Sequence, residues 1–355
     1  MIKSIKNVKK IIFHFNNDVS GSTTALRNKI SKLNDDDYVI FTLSRGGVLD
    51  DLNIVPLLPT SFSRRLGPVI NIVFFWLFSI IISLFNCDKE QVFNTLQSIP
   101  IAFVRSKFTR QYNNYKVYLH EFSVNNRYLN NFLITLLTRT NADFVFVSKY
   151  QKNYYEENYK ISGSVEPNYL SPFFYNESVN KRFNSFDDRF RVTFVGSTKA
   201  YKGMQTFIQF CETNRLPDNI VPTIVSSEPV VAKESASIEI LVSPSEEVLS
   251  RVYYESYFVL NLSLDAKWVE TFGMTIFEAC CFGAIPITPM RGGFVDFIDD
   301  TVRLEIDTNQ EITAQIEQLK RLLKYHLNEE RWTILHKNLI FYCQSSESLK
   351  RIVGS

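Results

Sequence analysis

An alternation running through both halves of the chain restricts the fold more than any single motif. Short runs rich in β-branched and aromatic residues alternate with longer stretches whose apolar residues recur at helical spacing. In the first half the strand-like runs are KIIFHF at 10–15, YVIFTL at 38–43, IPIAFV at 99–104, KVYLHEF at 116–122 and DFVFVS at 143–148. Between the first two, Ala25, Leu26, Ile30 and Leu33 mark a helix. The second half restarts with RVTFVGS at 191–197, followed by VPTIVSS at 221–227, SIEILVS at 237–243, SYFVLNLS at 256–263 and AIPITP at 284–289. Strands that alternate with helices imply an α/β chain whose parallel sheets are covered on both faces. With 355 residues and 45% apolar side chains there is material for two such domains. The stretch SVEPNYLSPFFYNESVNKRFNSFDDR, rich in Asn, Ser and Pro, reads as the irregular join. The expected division is a first domain over 1–172, a linker over 173–188, a second domain over 189–335 and a terminal helix over 336–355.

Charge is unevenly spread. Residues 1–178 carry 20 Lys and Arg against 14 Asp and Glu, and residues 179–355 carry 19 against 23. The basic first half suits an anionic partner, whereas a chain with net charge of only +2 is too balanced for general nucleic-acid binding. Five cysteines without paired spacing fit a reducing cytoplasm. The opening MIKSIKNVKKIIFHFNN lacks the apolar run and small-residue site of a signal peptide. Four scattered histidines and the turn-like NDDDY at 34–38 give no metal site, so neither a metal nor another cofactor is expected.

LGPVINIVFFWLFSIIISLF, from Leu66 to Phe85, follows Arg64 and Arg65. Three readings fit it: a membrane span, a buried core helix, and a helix lying in the lipid interface beside its two arginines.

A second stretch, KWVETFGMTIFEACCFGAIPITPMRGGF, sets two carboxylates in apolar surroundings. A helix is expected to start at Thr271 or Phe272, directly after Glu270, and a helix start is suited to an anion such as a diphosphate. Glu278 lies too far along to cap that helix. Buried there it requires a hydrogen-bonding partner, either a diol or a distant Lys or Arg.

These residues resemble the signature of the GT4 family of retaining glycosyltransferases with the GT-B fold. ETFGMTIFEA contains the family's glutamate pair, Glu270 and Glu278, and is followed by Gly283, Pro286 and the Gly292–Gly293 pair. VTFVGSTKAYKGMQTFI at 192–207 is similar to the family's strand–turn–helix, with Gly196, Lys202 and Gly203 in place. Ser197 stands where the family has arginine, which removes a planar double donor and leaves Lys202 and Lys199 to meet phosphate. Gly21 and Ser22 occupy the place of the family's first loop, His120 that of a histidine facing the donor sugar, and Asn168 that of a residue near the interdomain crevice.

The resemblance implies two Rossmann-like domains with parallel sheets facing a central cleft, and a terminal helix returning toward the first domain. It also implies a nucleotide sugar as donor, UDP-linked rather than GDP-linked, and transfer with retention. Lys202 and the backbone at Phe272, Gly273, Met274 and Thr275 would meet the diphosphate, Glu278 the ribose, and Glu270 the sugar. The first domain would bind the acceptor, a lipid-diphosphate-linked saccharide of bacterial surface-polysaccharide (O-antigen) assembly, at the inner face of the cytoplasmic membrane. Two alternatives stay open: a catalytically idle subunit of the same fold, and a sugar-nucleotide epimerase.

Overall fold

The computed structural model describes residue 5 and residues 8–18, 20–31, 33–108, 114–124, 126–180, 190–213, 218–233, 237–264, 269–346 and 352. The chain divides into two compact units, Met1–Asn168 and Tyr169–Ser355.

In order, the first unit contains β1 (Lys10–Phe13), α1 (Gly21–Ile30), β2 (Tyr38–Thr42), β3 (Ile54–Pro56), α2 (Pro68–Phe85), β4 (Glu90–Asn94), α3 (Ile99–Phe108), β5 (Tyr115–Leu119), α4 (Arg127–Leu137), β6 (Asp143–Phe146), α5 (Lys149–Tyr159) and β7 (Ser164–Val165). Its seven strands form one parallel sheet in the order β3-β2-β1-β4-β5-β6-β7. Every residue of β2 is buried, as a parallel strand covered on both faces requires. Phe13 pairs in register with Phe41 and Phe93 on the flanking strands, and their rings stack at 5.7 and 5.3 Å. On the other face Ile12 and Ile40 pack with Leu26 and Ile30 of α1. Ser20 caps α1 by accepting the Thr23 N–H.

The run IPIAFV, expected as a strand, is instead the start of α3. The strand of that neighbourhood is EQVFN at 90–94, whose Glu and Gln hid it from a search for apolar runs. A short, wholly apolar segment does not reveal its own period. The neighbouring sheet position is filled by β4, and Ile99, Ile101 and Ala102 are buried from the helix.

The second unit contains α6 (Pro172–Asn180), β8 (Phe190–Val195), α7 (Met204–Thr213), β9 (Ile220–Ser226), β10 (Glu239–Val242), α8 (Glu246–Glu255), β11 (Ser256–Leu260), α9 (Met274–Cys281), β12 (Ile285–Pro289), β13 (Leu304–Ile306), α10 (Ile312–His326) and α11 (Glu329–Ser345). Six parallel strands run in the order β10-β9-β8-β11-β12-β13. The expected irregular linker begins as α6, whose Phe174 is buried against Tyr253 and Phe282, while 181–189 lie outside the described residues. The terminal helix starts at Glu329, earlier than 336, because Asn328 caps it through the Arg331 N–H. It packs against α9 and β12 of its own unit, with His336 Nδ1 2.8 Å from Gly283 O. Of the expected 336–355 segment, 347–351 and 353–355 lie outside the described residues.

In both sheets the chain first moves outward on one side and then returns to pair on the other side of its starting strand. The reversal falls between β1 and β4 in the first unit and between β8 and β11 in the second. Open α/β sheets bind ligands at the carboxyl ends of strands beside such a reversal.

α2 does not behave as a core helix. Only 22% of its 18-residue apolar window is buried, although it is long and apolar enough to cross a membrane. Phe75, Ser79, Ile82 and Ser83 face the unit, and Ser83 Oγ donates to Gln91 Oε1 of β4 at 2.6 Å. Trp76 Nε1 donates to Gln97 O at 2.7 Å. Val69, Ile70, Val73, Leu77, Phe78, Ile81 and Phe85 are exposed, Phe85 by 85%.

Candidate functional site

The second unit gathers most of the expected residues at its strand reversal. Gly196 and Ser197 leave β8, and Gly196 N–H donates to Val225 O at 3.0 Å. A single helical turn at Ala200–Lys202 ends in Gly203, whose φ is +78°. A Cβ there would sit 2.0 Å from Leu262 O, beyond the end of β11, so only glycine allows this approach. The turn sets Lys202 Nζ 2.7 Å from Glu270 Oε2. Both side chains are largely shielded, at 24% and 15% exposure. Lys199 is exposed, and its carbonyl accepts the Lys202 N–H at 2.8 Å.

The loop of Glu270 is held by the glycine pair downstream. Gly293 N–H donates to Glu270 O at 2.7 Å, and Gly292 has φ +153°. A Cβ on Gly292 would meet the Phe294 ring at 2.4 Å. α9 starts at Met274, later than the expected Thr271 or Phe272, because Gly273 at φ +92° forms the cap. The helical ladder opens with Ile276 and Phe277 N–H groups on Gly273 O, at 3.0 and 3.4 Å. The amides of Met274 and Thr275 precede that ladder. Phe272 is a core residue; its ring packs on Phe277 at 4.6 Å and Phe297 at 5.4 Å. The free amides at this helix start are therefore those of Met274 and Thr275, shifted from the Phe272 and Gly273 expected from the sequence.

Glu278 is 7% exposed and accepts the Tyr253 hydroxyl at 2.9 Å through Oε2. Burial pushes its carboxyl up to about 7, against the opposing pull of that hydrogen bond. It is thus met by a tyrosine of α8 and not by the distant Lys or Arg considered from the sequence. Tyr253 escaped the sequence reading because one tyrosine in an amphipathic helix carries no signal of its role.

The first unit brings Gly21, Ser22 and His120 to one polar cluster at its own strand reversal. Apart from its chain neighbours and the backbone of its own helix, no described atom lies within 4 Å of where a Gly21 Cβ would sit, so packing does not demand glycine there. His120 follows β5, is 9% exposed, and has Nε2 3.0 Å from Asn94 Oδ1 at the end of β4. Burial depresses its pKa to about 3 and that of His14, just past β1, to about 4, so both rings are neutral at physiological pH. His14 Nδ1 lies 3.0 Å from Asn94 O, and its Nε2 lies 3.1 Å from Thr23 Oγ1. Ser22 hydrogen-bonds the Glu121 carboxylate, which burial pushes up to about 7. Glu121, His14 and Asn94 were missed from sequence; their adjacency depends on a parallel register no motif records. Asn168 ends the first unit, three residues after that unit's last strand, β7, and two after Glu166.

Among the described residues no group of three or more His, Cys, Asp or Glu side chains is arranged to hold a metal ion.

No protein-family model matches the sequence, and no curated protein is similar to it in sequence. Solved structures match it in fold. HepE from Anabaena, in complex with UDP-glucose, matches with TM-score 0.71 and 12% identity over 97% of each chain. Sucrose-phosphate synthase from Thermosynechococcus elongatus matches with TM-score 0.69 and 14% identity, over 97% of this chain and 96% of that one. A glycosyltransferase from Rickettsia africae gives TM-score 0.65 and 15% identity, over 98% and 96%. At these identities the likeness is one of architecture: the chain has the GT-B fold, two α/β domains each built on a parallel sheet.

Proposed function

We propose that the chain is a retaining glycosyltransferase that moves a sugar from a nucleotide diphosphate, UDP-linked in preference to GDP-linked, to an acceptor hydroxyl. The observation that carries this reading is the Lys202–Glu270 pair, held at 2.7 Å beside the glycine-capped start of α9. An ammonium next to helix-start amides suits a diphosphate, and a largely shielded carboxylate suits sugar hydroxyls. Donor binding would exchange the internal ion pair for those two contacts.

In the reaction the bond from the sugar's anomeric carbon to the diphosphate oxygen breaks, and a bond to the acceptor oxygen forms. The acceptor's proton passes to the departing diphosphate, with no metal required. Lys202 and the amides of Met274 and Thr275 stabilise charge as it grows on the leaving group, an electrostatic contribution. Glu278 would offer its second oxygen to the ribose, Tyr253 holding the first. Gly21, Ser22 and His120 would line the sugar side, in keeping with the open space around Gly21.

The acceptor is proposed to be a lipid-diphosphate-linked saccharide of bacterial surface-polysaccharide assembly, met at the inner face of the cytoplasmic membrane. The exposed apolar face of α2, flanked by exposed Arg64 and Arg65, supports a helix lying in the lipid interface. Its bonds to Gln91 and Gln97 tie it along the first unit, which argues against a span.

Ser197 in place of arginine favours one rival, an idle subunit that binds sugar nucleotides without turnover. Calorimetric titration with UDP- and GDP-hexoses, followed by assay of donor hydrolysis, separates the readings. Binding without hydrolysis or transfer supports the idle subunit; no nucleotide binding at all overturns both.

A further inference from the structure

Thr60 joins two loops of the first unit that each carry arginine. Its hydroxyl donates to Arg45 O at 3.0 Å, and its carbonyl accepts the Arg64 N–H at 3.1 Å. Arg65 comes next, its N–H bonded to Phe62 O at 3.0 Å. Arg45, Arg64 and Arg65 are all exposed. One short hydrogen-bonded path thus gathers three arginines on a single patch.

The carboxylates closest to this patch along the chain are occupied. Asp50 accepts the Gly46 N–H at 2.8 Å and the Asn17 amide at 2.7 Å, and Asp51 holds Arg27 at 2.6 Å. None of the three arginines forms an ion pair with a described residue, Asp18 beside Asn17 included. Arg64 and Arg65 are the only charged residues from Leu52 to Cys87. Like charges gathered without a counter-charge repel one another, and an anion that meets them relieves the repulsion.

The patch is also fixed in place on both sides. Gly46 has φ +108°, and a Cβ on Gly47 would lie 1.6 Å from Asn17 O, so the Arg45 loop is locked onto the segment after β1. That segment leads into Gly21 and Ser22. On the other side, the helical turn Thr60–Ser63 is fastened to α2. Asn71 Nδ2 donates to Ser63 O at 2.9 Å, and the Phe62 ring meets Phe74 edge-on at 6.5 Å. Because α2 connects β3 to β4 in one parallel sheet, it runs back from the carboxyl ends of the strands to their amino ends. Its arginine-bearing start therefore lies at the same end of the sheet as Gly21 and Ser22.

Three chemistries thus follow one another across the first unit: an exposed apolar helix face, a cationic patch, and polar residues at the strand ends. A saccharide joined to a lipid through a diphosphate carries the matching three in the same order. We propose that Arg45, with Arg64 and Arg65, forms the binding site for the diphosphate of the lipid-linked acceptor. The lipid chain then lies along α2, and the saccharide points toward Gly21 and Ser22. Arginine suits this ligand, since its planar fork makes two parallel bonds to phosphate oxygens. The inference rests on the glycosyltransferase reading for the saccharide end of its ligand, and the site is separate from the donor diphosphate site at Lys202. Anionic lipid headgroups share the phosphate chemistry. The acceptor is favoured because Arg45 stands on the loop after β2 and not on α2.

The test uses full-length chains: wild type, Arg45→Ala, Arg64→Ala with Arg65→Ala, and Arg139→Ala. Arg139 precedes β6, at the amino ends of the strands, and controls for net charge. Each chain is saturated with UDP, which keeps the probe out of the donor site, and titrated calorimetrically with geranyl diphosphate. Affinity should fall roughly tenfold or more in Arg45→Ala and in the double variant, the loss of charge-assisted bonds. It should stay within about twofold in Arg139→Ala, whose charge is screened from the patch. Flotation then separates the two phosphate sources. Phosphatidylcholine vesicles carrying farnesyl diphosphate should recruit wild type about fivefold or more better than vesicles given the same charge as phosphatidylglycerol. Arg45→Ala should lose that preference. Unchanged geranyl diphosphate affinity in Arg45→Ala overturns the proposal. Equal recruitment by the two vesicle types also overturns it, and assigns the arginines to bulk headgroups. If wild type fails to bind UDP, the glycosyltransferase reading falls; the same titrations, run without UDP on a Lys202→Ala background, still decide the arginine site.

Discussion

Tyr253 donates its hydroxyl to Glu278 Oε2 across 2.9 Å in the interior of the second unit, so that each buried polar group meets the other's demand for a partner. Replacing Tyr253 by Phe removes the donor and leaves a buried carboxyl unsatisfied. The expected loss is about 1–3 kcal/mol in urea unfolding. An unchanged midpoint would mean the pair has no energetic weight.

The same carboxyl makes stability depend on pH. Its pKa in the folded chain is about 7, above the ordinary 4.5, so the folded state holds the proton more tightly than the unfolded state does. Its contribution is fully present below the unfolded value and is lost as pH rises through the folded one. Glu278→Gln should therefore stabilise the unliganded protein on the order of 3 kcal/mol above about pH 8, with little gain near pH 4. Some slope should survive, because Glu121 is also raised to about 7. Unfolding curves at the two pH extremes give the difference, and an equal gain at both would refute the assignment to ionisation.

Lys202 and Glu270 are expected to act in the chemical step. Lys202→Ala should lower turnover on the order of 10²–10³-fold, the cost of one charge-stabilising contact. Glu270→Ala should abolish transfer while far-UV circular dichroism stays unchanged. More than a tenth of wild-type turnover in Glu270→Ala would remove that residue from the mechanism.

Gly203 tests the geometry that supports them. Gly203→Ala forces a Cβ to within 2.0 Å of Leu262 O at a backbone φ of +78°. The strand ends must separate, and a cost of at least about 2 kcal/mol is expected from strain and the steric clash together. Thermal unfolding measures it; a drop much smaller than that means the turn relocates readily.

Ser197 offers a gain. Arginine at this half-shielded loop position would place a planar donor beside the proposed diphosphate site, so Ser197→Arg should tighten UDP binding by roughly tenfold. Calorimetry at moderate salt decides it. A weaker complex would show that the loop has adapted to serine.

The outer face of α2 predicts membrane affinity. Flotation with anionic vesicles at low salt should carry the wild-type chain upward, and Arg64→Glu with Arg65→Glu should reduce it about fivefold or more. Leu77→Ser with Ile81→Ser should do the same without restoring salt sensitivity. A wild-type chain that stays at the bottom of the gradient removes the membrane from the account.

Much of this was legible from residues alone. Periodicity announced both parallel sheets, and the family-like motifs already held Gly203, Gly273 and Gly292, though not the positive φ that each adopts. Ile99–Val104 misled because an apolar run has no visible period, and Glu90–Asn94 hid because its polar ends disguised a strand. His14, Asn94 and Glu121 could not be read together. They come from three strand ends far apart in sequence. α2 was ambiguous for a different reason: hydrophobicity says how much a helix avoids water, not which side of it the protein covers.

Were α2 seated in a bilayer as proposed, enzyme and lipid-borne acceptor would meet on a surface and not in a volume. Rate would then follow the acceptor's mole fraction in the lipid, so adding inert lipid would slow transfer while diluting the whole suspension would leave it nearly constant. Conventional Michaelis constants in molar units would drift with vesicle concentration, and kinetic comparison of variants is sound only at fixed lipid composition.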